Sequence, residues 1–124
     1  MIVVDSSGWI EYFSAGANAA RFAGPIEDPP SLAVPTIVLY EVHKWTARFN
    51  EPLANAALTA MLQAHLIELS ASLAIQGAKL SAETGLAMAD AIILATARAH
   101  DATLWTQDAH FEGIPGVRYI ASQG

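Results

Sequence analysis

The stretch Met1-Ile2-Val3-Val4-Asp5-Ser6-Ser7 decides the fold that this sequence predicts. Its leading apolar residues do not alternate with polar ones, which is typical of a strand buried on both faces, as in a parallel sheet. Because the run ends in an acid, Asp5 is expected at the carboxyl end of a central strand, where open α/β sheets bind their ligands. A second interpretation is that Asp5 only caps a helix that begins at Ser6 or Ser7.

Strands and helices are expected to alternate along the rest of the chain. Apolar or alternating runs predict further strands at residues 31–34, 66–69, 102–106 and 117–120. Helical spacing of apolar residues is clearest at 36–49 and 88–100, and a short helix at 17–23 is expected to end at the breaker residues Gly24-Pro25. This alternation predicts a three-layer α/β fold, with a mainly parallel five-stranded sheet and helices on both faces. If strand four lies beside strand one on the side away from strand two, the order is 3-2-1-4-5.

The composition fits one acidic domain without cysteine. The 124 residues are expected to form a single domain, residues 1–124, with a real core, because 53% of them are hydrophobic. Twelve acids against six bases give a net charge of −6, which argues against a broad phosphate-binding surface. A nucleic-acid partner would therefore need a local counter-charge, from a bound divalent cation or from a basic partner protein. No apolar run is long enough to span a bilayer and no signal peptide is recognised, so we expect a cytoplasmic protein with no membrane partner.

Four acids are expected to meet at the topological switch point of this sheet. Asp5 and Asp108 follow strands one and four, which flank the crevice in the order 3-2-1-4-5. Glu41 and Asp90 fall on or beside the apolar faces of their helices, where an ionised carboxylate is costly unless it is paired, hydrated or bound to a metal. Each acid also has a structural interpretation, as a helix cap, a turn residue, a solvated side chain or a partner of backbone amides.

Carboxylates crowded into one crevice need either a raised pKa or a bound cation. Oxygen donors without cysteine favour Mg²⁺ or Mn²⁺ over zinc, and Mg²⁺ keeps several waters, one of which can act as the nucleophile. The ion also neutralises phosphate oxygens, which an acidic pocket repels, so the chemistry predicted is metal-assisted hydrolysis of a phosphodiester. The hydroxyls of Ser7 and Thr106 lie close to these acids in the sequence and are expected to orient a carboxylate or a water.

At these residues the chain resembles the PIN-domain ribonucleases, in particular the VapC-type toxins of toxin–antitoxin pairs. The resemblance covers nearly all of the chain and rests on four segments in order, VVDSSGWIEYF, PTIVLYEV, GLAMADAIILATARAH and TLWTQDAHF. It implies a parallel sheet of order 3-2-1-4-5 and an endoribonuclease activity that depends on Mg²⁺ or Mn²⁺. It also implies a homodimer, an RNA substrate, and a cognate antitoxin that covers the acidic pocket and keeps the protein inactive.

The resemblance assigns metal binding and catalysis to the four acids, with two hydroxyls in support. The metal ligands and catalytic residues would be Asp5, Glu41, Asp90 and Asp108, and the supporting catalytic residues would be Thr106 and Ser7. One position departs from the family pattern, because some relatives carry a further acid two residues beyond Asp108, where this chain has His110. Whether the site would hold one metal ion or two is therefore left open.

Two other functions are compatible with such a fold. One is a Mg²⁺-dependent phosphatase or phosphoacceptor, although no DxDxT motif follows strand one and no lysine is placed to clamp a phosphoryl group. The other is a binding module without activity, although all four acids are present. The histidines lack a metal-ligand spacing such as HExxH, so structural roles are predicted for His43, His65, His100 and His110. His110 stands out among them, because it lies close to Asp108 in the sequence.

Overall fold

The computed structural model describes residues 1–123 and contains a five-stranded sheet in the order β3-β2-β1-β4-β5. The strands are β1 (Ile2–Val4), β2 (Leu32–Pro35), β3 (His65–Ile67), β4 (Thr103–Thr106) and β5 (Val117–Tyr119). Every neighbouring pair of strands is parallel, so the predicted α/β fold and the strand order 3-2-1-4-5 are confirmed. The edge strands β3 and β5 carry exposed or half-buried side chains, whereas β2, inside the sheet, is fully buried.

Six α-helices connect these strands in the described part of the chain. They are α1 (Ser6–Phe13), α2 (Ala19–Ile26), α3 (Thr36–Phe49), α4 (Glu51–Leu62), α5 (Ala71–Thr84) and α6 (Met88–Ala99), with short 3₁₀ helices at Pro29–Ser31 and Ala109–Phe111. One boundary prediction is wrong, because Gly24-Pro25 lies inside α2 and does not end it. Pro25 removes one amide donor near the end of the helix, and the burial of Pro25 and Ile26 beside Phe22 offsets that loss.

Strand β1 lies at the centre of the sheet, as its uninterrupted apolar residues predict. Val3 and Val4 are fully buried, and β1 pairs with β2 on one side and with β4 on the other. The register places Val4 opposite Trp105, and the Asp5 amide donates a hydrogen bond to the Trp105 carbonyl at 3.0 Å. The carboxyl ends of β1 and β4 are therefore side by side, with Asp5 at one and Thr106 at the other.

Helix α1 follows β1 without a loop, and this connection depends on a glycine. A Cβ on Gly8 would lie 2.6 Å from Val4 Cγ1 and 2.7 Å from the Phe22 ring, which is closer than van der Waals contact. Gly24 is a contrasting case, because within residues 1–123 no heavy atom outside its own helix turn lies within 4 Å of such a Cβ. The close approach at Gly8 brings the first turn of α1 against the core, directly at the end of the sheet.

Helices α5 and α6 pack closely against each other. A Cβ on Gly77 would lie 3.0 Å from Ile92 Cγ1, and α5 ends at Gly85, whose φ of 77° is in the left-handed region that favours glycine. Helix α6 is buried from Ala91 to Ala97, so its first turn is held in place by the core.

No single helix in the described chain is long and apolar enough to cross a membrane. Helices α5 and α6 meet that test of length and composition only together, as a pair bent by 115°.

Candidate functional site

Asp5 lies at the end of β1 and is surrounded by hydrogen-bond donors. It is 3% exposed. Ser7 Oγ donates to Asp5 Oδ1 at 2.6 Å, the Gly8 amide donates to the same oxygen at 3.3 Å, and Thr106 Oγ1 donates to Oδ2 at 2.9 Å. The bond from Gly8 makes Asp5 the N-cap of α1. The two hydroxyl bonds go beyond capping, because they fix the plane of the carboxylate.

Asp5 forms no ion pair within residues 1–123. Burial raises the pKa of Asp5 from 3.8 to about 6, the charge of Asp108 adds to this increase, and the hydrogen bonds from Ser7, Thr106 and Gly8 oppose it. Within residues 1–123, the one ion-pair contact that involves a predicted site acid is the contact of His110 with Asp108. No lysine or arginine in the described chain therefore forms an ion pair with the acids of this region.

The segment Thr106-Gln107-Asp108 brings a second acid to the same place. The Thr106 hydroxyl donates to Asp5 and accepts a hydrogen bond from the Asp108 amide at 2.9 Å, so one hydroxyl bridges the two acids. Ser7 Oγ accepts a hydrogen bond from the Gln107 amide at 3.2 Å and lies 3.4 Å from Thr106 Oγ1. Both hydroxyls singled out in the sequence therefore contact the acids or the backbone that carries them.

Glu41 approaches from α3 and is held by a serine that the sequence analysis missed. Glu41 is half-buried, and Ser6 Oγ donates to its Oε1 at 2.6 Å. The first turn of α1 thus directs two consecutive hydroxyls to two different acids, Ser6 to Glu41 and Ser7 to Asp5. The signal that could have identified Ser6 is its position between Asp5 and Ser7 at the start of a helix.

Asp90 lies in the first turn of α6 and is half-buried. Burial raises the pKa of Asp90, the charges of Asp108 and Glu41 raise it further, and His110 lowers it. The negative charge of Asp108 acts on Asp5 as well. Electrostatic interactions therefore connect the four acids in series, from Asp5 to Asp108, from Asp108 to Asp90, and from Asp90 to Glu41.

His110, for which the sequence predicted a structural role, lies among these acids. Its ring Nδ1 is 3.0 Å from Asp108 Oδ1, and its backbone amide donates to the same oxygen at 2.9 Å. Asp90, Asp108 and His110 each offer one potential ligand atom, and these three atoms lie within 4.8 Å of one another. Asp5 and Glu41, which the family resemblance assigns as metal ligands, are not part of this closest group.

The side chains present suit a hard divalent cation. The four acids offer carboxylate oxygens, His110 offers a nitrogen, and the chain has no cysteine. Mg²⁺ and Mn²⁺ prefer carboxylate and water ligands, and the charge of either ion would offset that of the unpaired acids. The donor set therefore fits Mg²⁺ or Mn²⁺ better than a soft metal.

A second polar cluster holds the loop that follows β4. The Glu11 carboxylate accepts hydrogen bonds from Gln107 Nε2 at 3.2 Å and from the backbone amide of Asn18 at 2.7 Å. Asn18 is fully buried and donates through Nδ2 to Gln107 Oε1 at 3.1 Å and to the Ala121 carbonyl at 2.9 Å. These bonds tie the loop to α1, which also carries the serine hydroxyls of the site. Sequence reasoning missed the cluster, because no spacing pattern connects Glu11, Asn18 and Gln107.

A groove of about 310 Å³ adjoins Glu41 along α3. It is lined in part by Glu41, Lys44 and Arg48, whose spacing of three and four residues places them on one face of the helix. Trp45 and Ile10 add apolar surface to the same groove. Two of the six basic residues of the chain therefore lie beside an acid of the site.

Comparisons with known proteins identify a domain family and several chains of the same fold. The family model for the PIN domain matches residues 2–117. The chain is similar to a chain of a toxin–antitoxin complex from Klebsiella pneumoniae, with 28% identity, a TM-score of 0.85, and coverage of 99% of this chain and 100% of that one. It has the fold of VapC20 from Mycobacterium tuberculosis, a toxin that cleaves the sarcin–ricin loop, with 21% identity, a TM-score of 0.76 and 100% coverage of both chains. VapBC2 from Rickettsia felis, bound to promoter DNA, matches with 19% identity, a TM-score of 0.73, and coverage of 99% and 100%. No curated protein sequence matches significantly.

Proposed function

The chain belongs to the PIN domain family, whose model spans residues 2–117, and we propose that it is an endoribonuclease that depends on Mg²⁺ or Mn²⁺. One observation carries the proposal. Carboxylates from four separate parts of the chain lie within electrostatic reach at the carboxyl ends of β1 and β4, and no lysine or arginine in residues 1–123 is paired with them. A bound cation would offset the repulsion among these carboxylates, and a cation is also what an RNA phosphate needs in order to approach them.

The proposed metal-binding and catalytic acids are Asp5, Glu41, Asp90 and Asp108. When bound there, a divalent cation would lower the pKa of a water that attacks phosphorus and would neutralise the phosphate oxygens. The hydroxyls of Ser7 and Thr106 keep the Asp5 carboxylate in one orientation through bonds of 2.6 and 2.9 Å. Ser6 orients Glu41 in the same way. Carboxylates held in this manner lose little further freedom when they bind an ion.

RNA is the substrate class that the surroundings of the acids support. Lys44 and Arg48 line the groove beside Glu41 and could pair with phosphates on either side of the scissile bond. The relative from Mycobacterium tuberculosis that has this fold is a toxin that cleaves the sarcin–ricin loop. A limited basic groove next to a metal site reconciles the net charge of −6 with a polyanionic substrate.

We further propose that residues 1–124 act as a single nuclease domain and as the toxin of a type II toxin–antitoxin pair. Support comes from the similar chain in the Klebsiella pneumoniae toxin–antitoxin complex. An arginine of a cognate antitoxin would find unpaired carboxylates here and could bind one of them through two charge-assisted hydrogen bonds. The proposed homodimer is tested by light scattering of the purified chain, and the proposed antitoxin by rescue of growth on co-expression.

The deciding experiment is RNA cleavage by the purified chain with Mg²⁺ or Mn²⁺. Asp90→Asn should lower the cleavage rate by at least about 100-fold, since changes next to metal ligands alone cost 10–100-fold. Glu83→Gln is the matched control, because Glu83 is an exposed acid near the end of the neighbouring helix α5. Cleavage that survives EDTA, or an Asp90→Asn variant as active as the control, would contradict the proposal. Hydrolysis of p-nitrophenyl phosphate without RNA cleavage would indicate a phosphatase instead.

A further inference from the structure

We propose that His110 is a nitrogen ligand of the divalent ion in this protein and that it makes the site selective for Mn²⁺ over Mg²⁺. The inference rests on the proposed function for the presence of an ion at the acids. It concerns the position two residues beyond Asp108, where this chain carries an imidazole. The ligand set would then consist of oxygen donors with one nitrogen.

The backbone after β4 directs the imidazole toward the acids. Asp108 caps the short 3₁₀ helix Ala109–Phe111. Its Oδ1 accepts a hydrogen bond from the backbone amide of His110 at 2.9 Å and lies 3.0 Å from ring Nδ1. Phe111, the next residue, is fully buried and anchors this turn in the core. The position of the ring beside the carboxylate of Asp108 therefore follows from a turn that the core holds in place.

Asp90 completes the arrangement from the other side. A ligand atom from each of Asp90, Asp108 and His110 lies within 4.8 Å of the other two, close to the ~4 Å width of a first coordination shell. Asp90 and His110 also line one cavity of about 260 Å³, which has room for an ion and its waters. The His110 side chain is 81% exposed, so its ring can turn from Asp108 toward an ion without disturbing the core.

The chemistry of imidazole predicts which of the two ions, Mg²⁺ or Mn²⁺, a histidine ligand favours. Mg²⁺ binds oxygen ligands almost exclusively and gives up its waters reluctantly, whereas first-row transition-metal ions accept imidazole nitrogen. A neutral imidazole in place of a carboxylate also removes one negative charge from the site, which lowers the electrostatic attraction for Mg²⁺ and Mn²⁺ equally. The nitrogen bond then favours Mn²⁺ alone, so selectivity shifts toward Mn²⁺.

Electron spin echo spectroscopy of Mn²⁺ bound to the full chain tests the ligand directly. Nitrogen-14 modulation from a coordinated imidazole should be present in the wild type and in His43→Ala, a control at an exposed histidine on α3. The modulation should be absent in His110→Ala and in His110→Asp, which places a carboxylate at the same position. Nitrogen modulation that persists in both His110 variants, or that is absent from the wild type with Mn²⁺ bound, would overturn the proposal.

Calorimetric titration with each metal ion alone supplies the second measurement. His110→Asp should lower the ratio of Mn²⁺ affinity to Mg²⁺ affinity by about tenfold. An unchanged ratio would overturn the selectivity. The proposed function fails separately, when wild type binds neither ion or when bound ion supports no RNA cleavage. Binding of Mn²⁺ that requires Asp90 but leaves no trace of nitrogen coordination would overturn the role of His110 alone.

Discussion

Asp5→Asn is predicted to stabilise the metal-free protein near neutral pH, although it removes an acid from the proposed site. The carboxylate is 3% exposed, and no cation in residues 1–123 is paired with it. Its partners suit an amide equally well. Ser7 and Gly8 donate to one oxygen, and the Thr106 hydroxyl, which now donates to the other, can turn to accept a hydrogen bond from an amide nitrogen. The substitution therefore removes the buried charge and keeps the contacts.

The magnitude follows from the pKa of Asp5, which burial raises from 3.8 to about 6. A shift of about two units corresponds to about 3 kcal/mol. Between these two values the folded chain binds more protons than the unfolded chain, so the free energy of unfolding falls as the pH rises. The contribution is fully present below about pH 4 and is lost once the pH has passed through about 6.

Urea unfolding of wild type and Asp5→Asn in EDTA, over this pH range, measures the effect. The difference between the two curves cancels the contributions of Asp90 and of all other groups that both proteins share. We expect the wild type to lose about 3 kcal/mol relative to the variant as the pH rises to about 7. Addition of Mn²⁺ should then stabilise the wild type more than the variant. Parallel pH curves would refute the reasoning that Asp5 is a costly, uncompensated charge.

Three further predictions rest on contacts described above. Thr106→Val leaves a buried carboxylate and an amide without their shared partner and should lower the free energy of unfolding by about 2–4 kcal/mol. Thr106→Ser should keep most of that stability in the same urea titration. Gly8→Ala should destabilise by about 1–3 kcal/mol because its Cβ overlaps the core, whereas Gly24→Ala should be neutral or stabilising by up to about 1 kcal/mol. Equal shifts in Tm for the two alanine variants would contradict this contrast. Joint replacement of Lys44 and Arg48 by glutamate should weaken RNA binding by about tenfold at low salt, as measured by fluorescence anisotropy. An unchanged affinity would show that RNA does not bind in the groove along α3.

The strand order could be predicted because the controlling signals are local. The uninterrupted apolar residues before Asp5 identify a strand buried on both faces, and such a strand belongs at the centre of a parallel sheet. The prediction that α2 ends at Gly24-Pro25 was wrong, because the controlling contacts there are not local. A local rule about proline was outweighed by burial of that turn beside Phe22, which depends on the rest of the fold.

The sequence predicts that the four acids approach one another, because two follow strands and two interrupt apolar helical faces. The hydrogen bonds that orient them were only partly predictable. Ser7 and Thr106 adjoin acids in the sequence, but the contact of Ser6 with Glu41 spans 35 residues and depends on how α1 packs against α3. A structural role was predicted for His110 because no metal-ligand spacing includes it, although its closeness to Asp108 in the sequence set it apart from the other histidines. The 3₁₀ turn that places its ring beside Asp108 was not predicted.

The most direct test of the site is a crystal of the full chain soaked in Mn²⁺, with anomalous scattering used to locate the ion. An ion bonded to Asp90 and Asp108, with Asp5 and Glu41 within reach through ligation or bridging water, is the result expected here. A well-ordered protein with no anomalous peak among these acids, or with Mn²⁺ bound only elsewhere on the surface, would contradict the claim that they form one metal centre.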